Sequence, residues 1–233
     1  MITAASNSRI KRLVQLNQKS KLRRTEDVFL AEGVKMFLEA PREQLQEVYV
    51  SESFLEKCSC REHLEEVGYE VVSDSVFSKI SDTCTPQGVL CVLKQFHYNI
   101  EEMLRDKAPL FLLLENIQDP GNLGTMLRTG EGAGVSGIIM SRDTVDLYNP
   151  KVIRSTMGSI YRVPFYYADD FAAAVHQVQQ AGVSVYAAHL RGKNSYACQD
   201  YTKGTAFLIG NEGNGLRLSL IHISEPTRHS LIS

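Results

Sequence analysis

Three blocks of small and polar residues in the second half of the chain have the composition of ligand-binding loops. The first block, residues 116–128, reads NIQDPGNLGTMLR and is expected where a strand leads into a helix. Its two glycines let the backbone turn tightly, and Asn122 can cap the helix and offer an amide to a ligand. Arg128 can clamp a phosphate or carboxylate beside the helix N-terminus, although a surface arginine after a capped turn would show the same spacing.

A glycine-rich loop follows a later strand, in the block LIGNEGNGL at residues 208–216. Its glycines would let a ligand approach the backbone closely, and Glu212 could accept hydrogen bonds from an amino group or hydroxyls. The block lacks both the Gly-Lys-Ser/Thr of a P-loop and the G-x-G-x-x-G spacing of a dinucleotide-binding fold. A tight turn with glycines in the left-handed conformation is the alternative interpretation.

The third block, NPKVIRSTMG at residues 149–158, predicts a helix that begins with proline in its favoured first turn. Ser155 and Gly158 are three residues apart and are expected to share one helix face, where small side chains permit close approach. A hydrolase nucleophile is not predicted at Ser155, because the G-x-S-x-G elbow is absent.

The surrounding pattern predicts an α/β protein with two domains. From residue 109 apolar strands alternate with helices, which indicates a mostly parallel sheet covered on both faces, with ligands at the carboxyl ends of its strands. Shorter strands and helices over residues 28–95 predict a separate α/β unit. We therefore expect domains at 1–95 and 109–217, joined by a polar linker at 96–108.

Residues 1–25 predict an amphipathic helix with a cationic face, because seven basic residues precede the first acid, Glu26. Phosphate contact and a merely solvated helix surface both fit this pattern, and the overall net charge of −2 requires any nucleic-acid contact to be local. The basic residues are Arg9, Lys11, Arg12, Lys19, Lys21, Arg23 and Arg24.

The five cysteines lack C-x-x-C or other metal-ligand spacing, so no metal site is expected, and they predict reduced thiols in a cytoplasmic protein. No apolar run has the length that a membrane span needs.

The three blocks, in this order, resemble the SpoU/TrmH family of RNA ribose 2′-O-methyltransferases in the SPOUT superfamily. The resemblance extends over nearly the whole chain to about Arg217. The basic helix and the sequence FLAEG at 29–33 resemble the family's accessory RNA-binding domain, which is similar to ribosomal protein L30e. The resemblance therefore implies an L30e-like α/β domain followed by a SPOUT domain, whose C-terminus forms a trefoil knot.

The family's activity implies S-adenosyl-L-methionine-dependent methylation of a ribose 2′-hydroxyl in structured RNA, with ribosomal RNA favoured over transfer RNA. The enzymes act as homodimers. Asn122 and Arg128 correspond to the first motif, with Arg128 at the 2′-hydroxyl, and Ser155 belongs to the second motif. A guanidinium stays protonated at neutral pH, so we expect Arg128 to orient the ribose and stabilise oxyanion charge. The expected cofactor-binding residues are Ala188, Gly210, Asn211, Glu212 and Gly213.

After Arg217 the resemblance to the family ends. The family continues with a helix, a strand, a Ser-, Leu- and Asn-rich loop and a final helix, whereas residues 218–228 read LSLIHISEPTR and resemble a translated sequencing-library adapter. We expect residues 218–233 to be non-native, to leave a strand edge uncovered, and to prevent this 233-residue chain from methylating RNA. A catalytically silent RNA-binding protein is the alternative function.

Overall fold

The computed structural model describes residues 1–105, 107–188 and 194–228, and the chain divides into two compact units. The first unit comprises Met1–Phe96 and Asp146–Tyr161, and the second comprises His97–Val145 and Arg162–Ser233. The third block of the sequence, 149–158, therefore lies in the first unit. Within the described ranges, no helix is long and apolar enough to cross a membrane.

Helices and strands alternate along the described chain. The helices are α1 (Ser8–Gln18), α2 (Ser20–Glu26), α3 (Val34–Leu38), α4 (Glu52–Lys57), α5 (Arg61–Val67), α6 (Asp74–Ile80), α7 (Ile100–Met103), α8 (Pro120–Ala133), α9 (Pro150–Thr156), α10 (Phe171–Gln180) and α11 (Leu218–His222). The strands are β1 (Val28–Glu32), β2 (Leu45–Ser51), β3 (Glu70–Val72), β4 (Val89–Lys94), β5 (Leu110–Leu114), β6 (Gly137–Ser141), β7 (Phe165–Ala168), β8 (Ser184–Ala188), β9 (Asn194–Ser195), β10 (Thr205–Ile209) and β11 (Glu225–Arg228).

The first unit is built on a mixed sheet in the order β1-β4-β2-β3, in which β2 and β3 are parallel and the other pairs antiparallel. Helix α1 buries Ile10, Leu13 and Leu16, whose helical spacing puts them on one face against the core. Helix α9 packs on β1 of the same unit. The basic residues between the apolar positions of α1 therefore face outward.

The second unit is built on a parallel sheet in the order β7-β6-β5-β10-β8-β11-β9. This arrangement confirms the mostly parallel sheet expected from the sequence. Strands β5 and β10 are neighbours and run in the same direction, so the loops that follow them emerge side by side. The glycine-rich loop at 210–216 thus lies next to the loop that leads into α8.

Two local expectations are wrong. Helix α8 is capped by the Asp119 side chain, which accepts a hydrogen bond from the Asn122 backbone N–H at 2.8 Å, because Pro120 occupies the first helical position. Helix α9 ends at Thr156, and Gly158 follows in a positive-φ conformation, so it shares no helical face with Ser155. The linker predicted at 96–108 stays a prediction; this segment contains α7, whose two apolar residues are buried in the second unit.

Residues 218–228 are ordered as a helix and a strand. Strand β11 pairs with β8 in parallel, and Leu220 is buried in the core of the second unit. The edge of β8 is therefore covered, contrary to the expectation from the sequence. Backbone hydrogen bonding to an edge strand depends little on side-chain identity, which explains how this segment can pair. Residues 229–233 lie outside the described residues.

Candidate active site

The loop between β5 and α8 contains a strained residue that neighbouring loops hold in place. Asn116 has a φ of +54°, a left-handed conformation that non-glycine residues rarely adopt. Its backbone N–H donates to Ser141 Oγ at 2.8 Å, and its carbonyl oxygen accepts from Asn211 Nδ2 at 2.8 Å. Ser141 is buried at the end of β6, and Asn211 begins the glycine-rich loop. The loops after β6 and β10 therefore fix the entrance to α8.

The Glu212 carboxylate joins the glycine-rich loop to the N-terminus of α8. It accepts hydrogen bonds from the backbone N–H groups of Gln118 and Asp119, both at 3.1 Å, and from Asn122 Nδ2 at 3.2 Å. Burial raises the pKa of Glu212, but hydrogen bonds from backbone N–H groups and from Asn122 outweigh it and lower the pKa overall. Protein donors thus occupy much of the carboxylate that the sequence analysis offered to a ligand.

The glycine-rich loop closes on itself immediately after β10. Asn211 and Gly215 exchange backbone hydrogen bonds of 3.1 and 2.9 Å, and Asn211 Oδ1 accepts from the N–H groups of Gly213 and Asn214. A Cβ atom at Gly210 would lie 2.4 Å from the Gly215 carbonyl carbon. Glycine is therefore required at 210 by the approach of this backbone, whereas a Cβ at Gly213 would make an ordinary contact.

An ion pair beside this loop was not predicted from the sequence. Glu115, which follows β5 directly, is 1% exposed, accepts from the Arg217 backbone N–H at 2.9 Å and pairs with its guanidinium. This hydrogen bond to Glu115 raises the pKa of Arg217. The available signal was an acidic residue at the end of a continuous apolar run, where an unpaired charge would be costly.

Arg128 lies on the outer face of α8. Leu123, Leu127 and Gly130 of this helix are buried, while Arg128 and Asn122 are exposed. Across the described ranges, Arg128 has no hydrogen-bond or ion-pair partner. Its guanidinium is therefore available to an anionic ligand, as its spacing from the α8 N-terminus suggested.

Two further predicted site residues lie elsewhere in the sequence: Ser155 is in the first unit, and Ala188 is in the second unit, where its strand β8 pairs with β10. Ser155 belongs to α9 of the first unit, and its hydroxyl donates to the Lys151 carbonyl oxygen at 2.9 Å. Ala188 is the exposed last residue of β8, in register with Thr227 of β11. The residues that follow it, 189–193, lie outside the described residues.

The seven basic residues of α1, α2 and the turn between them divide into two groups. Arg9 pairs with Glu70, Arg12 pairs with both Glu26 and Glu47, and Arg23 is buried. The others are exposed and have no ion-pair partner in the part of the chain that the structure describes: Lys11, Lys19, Lys21 and Arg24.

Comparison with known proteins connects both units to one family. A model of the SpoU rRNA Methylase family matches residues 109–228, and a model of the MRM3-like substrate binding domain matches residues 7–91. The chain belongs to the SpoU rRNA methylase family. In this family member, the Glu212–Asn122 link and the free Arg128 both lie in the methylase match, whereas the exposed lysines of α1 and α2 lie in the substrate-binding match.

Individual relatives of this SpoU-family chain agree with that assignment. The 23S rRNA (guanosine(2553)-2′-O)-methyltransferase RlmP of Bacillus subtilis is 31% identical over 223 residues, which cover 94% of this chain and 86% of that protein. A crystal structure of an AdoMet-bound rRNA methyltransferase from Sinorhizobium meliloti has a TM-score of 0.84 and 28% identity, with 100% of this chain and 89% of that chain covered. Human mitochondrial rRNA methyltransferase 3 is 41% identical over 88 residues, 36% of this chain and 21% of that protein.

Proposed function

We propose that this protein transfers a methyl group from S-adenosylmethionine to a ribose 2′-hydroxyl of ribosomal RNA. The family match, and relatives named as rRNA methyltransferases, support this activity. The observation that carries the proposal is that the glycine-rich loop, closed by its own hydrogen bonds, lies next to the start of α8, the helix on which Arg128 has no partner among the described residues. Glu212 holds the start of α8 against the loop through Asn122, while the Arg128 guanidinium is left for substrate.

The residues of the glycine-rich loop fit S-adenosylmethionine. The loop is exposed, lies at the carboxyl ends of parallel strands where nucleotide-like ligands bind, and carries no bulky side chain between positions 210 and 215. Gly210, Asn211, Glu212 and Gly213, together with Ala188, would hold the cofactor. When bound, it supplies an electrophilic methyl group on a sulfonium.

Arg128 performs the substrate-side task in this proposal. Its guanidinium binds the phosphate next to the target ribose, orients the 2′-oxygen and stabilises the negative charge that develops on this oxygen as the hydroxyl proton passes to solvent water. The Asn122 side chain keeps the N-terminus of α8 fixed to Glu212. Ser155, in the second motif, is proposed as a further catalytic residue. No step in this account uses a metal ion.

The exposed cations of α1 and α2 are proposed as the RNA-binding surface. Lys11, Lys19, Lys21 and Arg24 have no ion-pair partner in the described ranges, so they can neutralise phosphates without first breaking an intramolecular bond. Arg9 and Arg12 must share their charge with glutamates. The buried Arg23 is withdrawn from the proposed surface, because its guanidinium cannot reach a phosphate from the interior.

The same proposal includes a cytoplasmic homodimer. The five cysteines are free, which fits a reducing compartment. Light scattering coupled to size exclusion would test the dimer, and a monomer that methylates RNA would contradict it.

The activity is tested by transfer of radiolabelled methyl groups to ribosomal RNA, with transfer RNA as the comparison and Arg128→Ala as the matched variant. We expect the form of the chain that carries the genomic continuation after Arg217 to incorporate label into ribosomal RNA at one position, where methylation blocks alkaline cleavage. Loss of one preorganised charge-stabilising donor costs on the order of 10²–10³-fold in kcat, so Arg128→Ala should be nearly inactive yet still bind RNA. A protein that binds RNA but methylates none would be the silent alternative.

Residues 218–233 are proposed to be non-native because of their adapter-like sequence. Sequencing unamplified source DNA across the Arg217 codon tests this, and two forms of the chain are then assayed: the present one and one with the genomic continuation. Methylation by the genomic form alone supports both proposals. Equal methylation by the two forms would overturn the proposal about the tail, and no methylation by either would overturn the methyltransferase.

A further inference from the structure

The segment Asp146–Tyr161 is built into the first unit, although the methylase family model matches it. The Tyr148 hydroxyl accepts from the Phe96 backbone N–H at 2.6 Å and donates to its carbonyl oxygen at 3.0 Å. Its ring lies 4.9 Å from that of Phe29. At the other end, the Tyr161 hydroxyl donates to the Met36 carbonyl oxygen at 2.9 Å. The segment is therefore anchored at both ends.

A buried arginine forms a further anchor of this segment. Arg23 is 2% exposed, and its guanidinium donates to the Leu16 and Asn17 carbonyl oxygens at 2.7 and 3.2 Å and to Asp146 Oδ2 at 2.6 Å. The carbonyls belong to the last turn of α1, where a cation is favoured by the helix dipole. Arg23 thus connects the end of α1 to the first residue of the segment.

Asp146 also forms hydrogen bonds with the turn that leads into α9. Its other carboxylate oxygen accepts from the Tyr148 backbone N–H at 3.1 Å, and its carbonyl oxygen accepts from the Asn149 N–H at 2.9 Å. Asn149 is the N-cap of α9, the helix that carries Ser155. A shift of Asp146 would therefore change the turn that sets the start and direction of α9.

Arg23 is buried while the Asp146 side chain is 30% exposed, so the ion pair by itself adds limited stability, because the cost of desolvating the guanidinium offsets much of the attraction. Its directional hydrogen bonds instead define one register. Arg24, the adjacent residue, is exposed and has no partner among the described residues. Two neighbouring arginines in one basic run therefore have opposite environments.

We propose that Arg23 is a positioning residue for methyl transfer, which acts through Asp146 to fix α9 and does not bind RNA. This inference rests on the proposed methyltransferase activity. It adds that Arg23 and Asp146 hold α9, the helix of the second motif, in a fixed position relative to α1 and α2. Displacement of catalytic groups by about 1 Å can cost on the order of 10²-fold in rate. Loss of the link should consequently reduce turnover and leave RNA affinity intact.

The test compares Arg23→Met with Arg24→Met in the form of the chain that methylates RNA. For Arg23→Met we expect kcat to fall by on the order of 10–10²-fold, with the RNA dissociation constant unchanged. For Arg24→Met we expect weaker RNA binding. Arg23→Lys should restore part of kcat, because a single ammonium can pair with Asp146 but cannot also occupy the position of the second guanidinium nitrogen, which donates to the two helix carbonyls. Unchanged kcat in Arg23→Met, or weakened RNA binding like that of Arg24→Met, would overturn the proposal.

Two further variants separate positioning from loss of folding. Asp146→Asn retains the volume and the turn while removing the charge, and it should show the same selective loss of kcat. Leu64→Ala removes a buried side chain of α5 in the same unit, so it should lower the melting temperature without changing kcat of the folded protein. If Leu64→Ala loses turnover to the same extent, the role of Arg23 is structural only.

Hydrogen exchange provides a readout that does not depend on activity. Amides of residues 146–158 should exchange faster in Arg23→Met than in wild type, while amides of β2 and β4 remain protected. If wild type itself methylates no RNA, the proposed function fails, and exchange alone then decides the link. Unchanged exchange over 146–158 would overturn it.

Discussion

Replacement of Gly210 by alanine tests whether the glycine-rich loop requires the close approach of the Gly215 and Leu216 backbone to position 210. The added Cβ would lie 2.4 Å from the Gly215 carbonyl carbon, 2.5 Å from the Leu216 nitrogen and 2.6 Å from the Gly215 oxygen. All three atoms are backbone, so no side chain can rotate away. Ordinary carbon contacts begin near 3.4 Å, so the backbone at Gly215 and Leu216 must move by about 1 Å.

This displacement has two energetic consequences. Forcing an extra methyl group into a packed site typically costs about 1–3 kcal/mol. Opening the loop also strains the two hydrogen bonds between Asn211 and Gly215, each worth about 0.5–1.5 kcal/mol. If both hydrogen bonds are lost, the destabilisation is about 2–6 kcal/mol.

The assay is thermal unfolding of Gly210→Ala beside Gly213→Ala, with S-adenosylmethionine affinity measured by calorimetry. At about 2–4 °C per kcal/mol for a chain of this size, Gly210→Ala should lower the melting temperature of the second unit by roughly 4–24 °C. It should also weaken cofactor binding. Gly213→Ala should unfold like wild type, because its Cβ meets only Asn211 Oδ1 at 3.6 Å. Equal melting temperatures for the two variants would refute the claim that the close backbone approach requires glycine at position 210.

Three further predictions use other contacts. Since the folded-state pKa of Glu212 is lowered, its stabilisation is present above the unfolded pKa and is lost as pH falls through the folded value. The melting-temperature advantage of wild type over Glu212→Gln should therefore shrink below about pH 4; a constant difference down to acid pH would contradict this. Ser141→Ala leaves the Asn116 N–H without its acceptor, so it should lower the free energy of unfolding in chemical denaturation by about 1–3 kcal/mol. An unchanged free energy of unfolding would show that water replaces the hydroxyl and would contradict the prediction. Lys19→Gln with Lys21→Gln should reduce the salt dependence of RNA binding by a slope of about 0.7–0.9 per lost phosphate contact, and an unchanged slope would exclude both from the RNA interface.

Much of the fold was predictable because local patterns carry it. The apolar strands predicted from residue 109 onward are present, and β5 pairs in parallel with β6 and β10, which confirms the parallel sheet. The alternation of strands with helices predicted the second unit, and proline in the first turn marked the start of α9. The cap of α8 was misassigned, since Asp119 and Asn122 are both good capping residues and only the observed hydrogen bond distinguishes them.

The sequence by itself determined which residue types could form the site and the order in which they occur. It could not determine their partners, because the decisive contacts join residues far apart in the chain. Asn122 and Glu212 are 90 positions apart, and Arg23 and Asp146 are 123 apart. Periodicity describes which face of an element is apolar, but not which distant loop meets it. Tertiary structure alone therefore separated the buried Arg23 from its exposed neighbour Arg24, and it alone placed the second motif in the first unit.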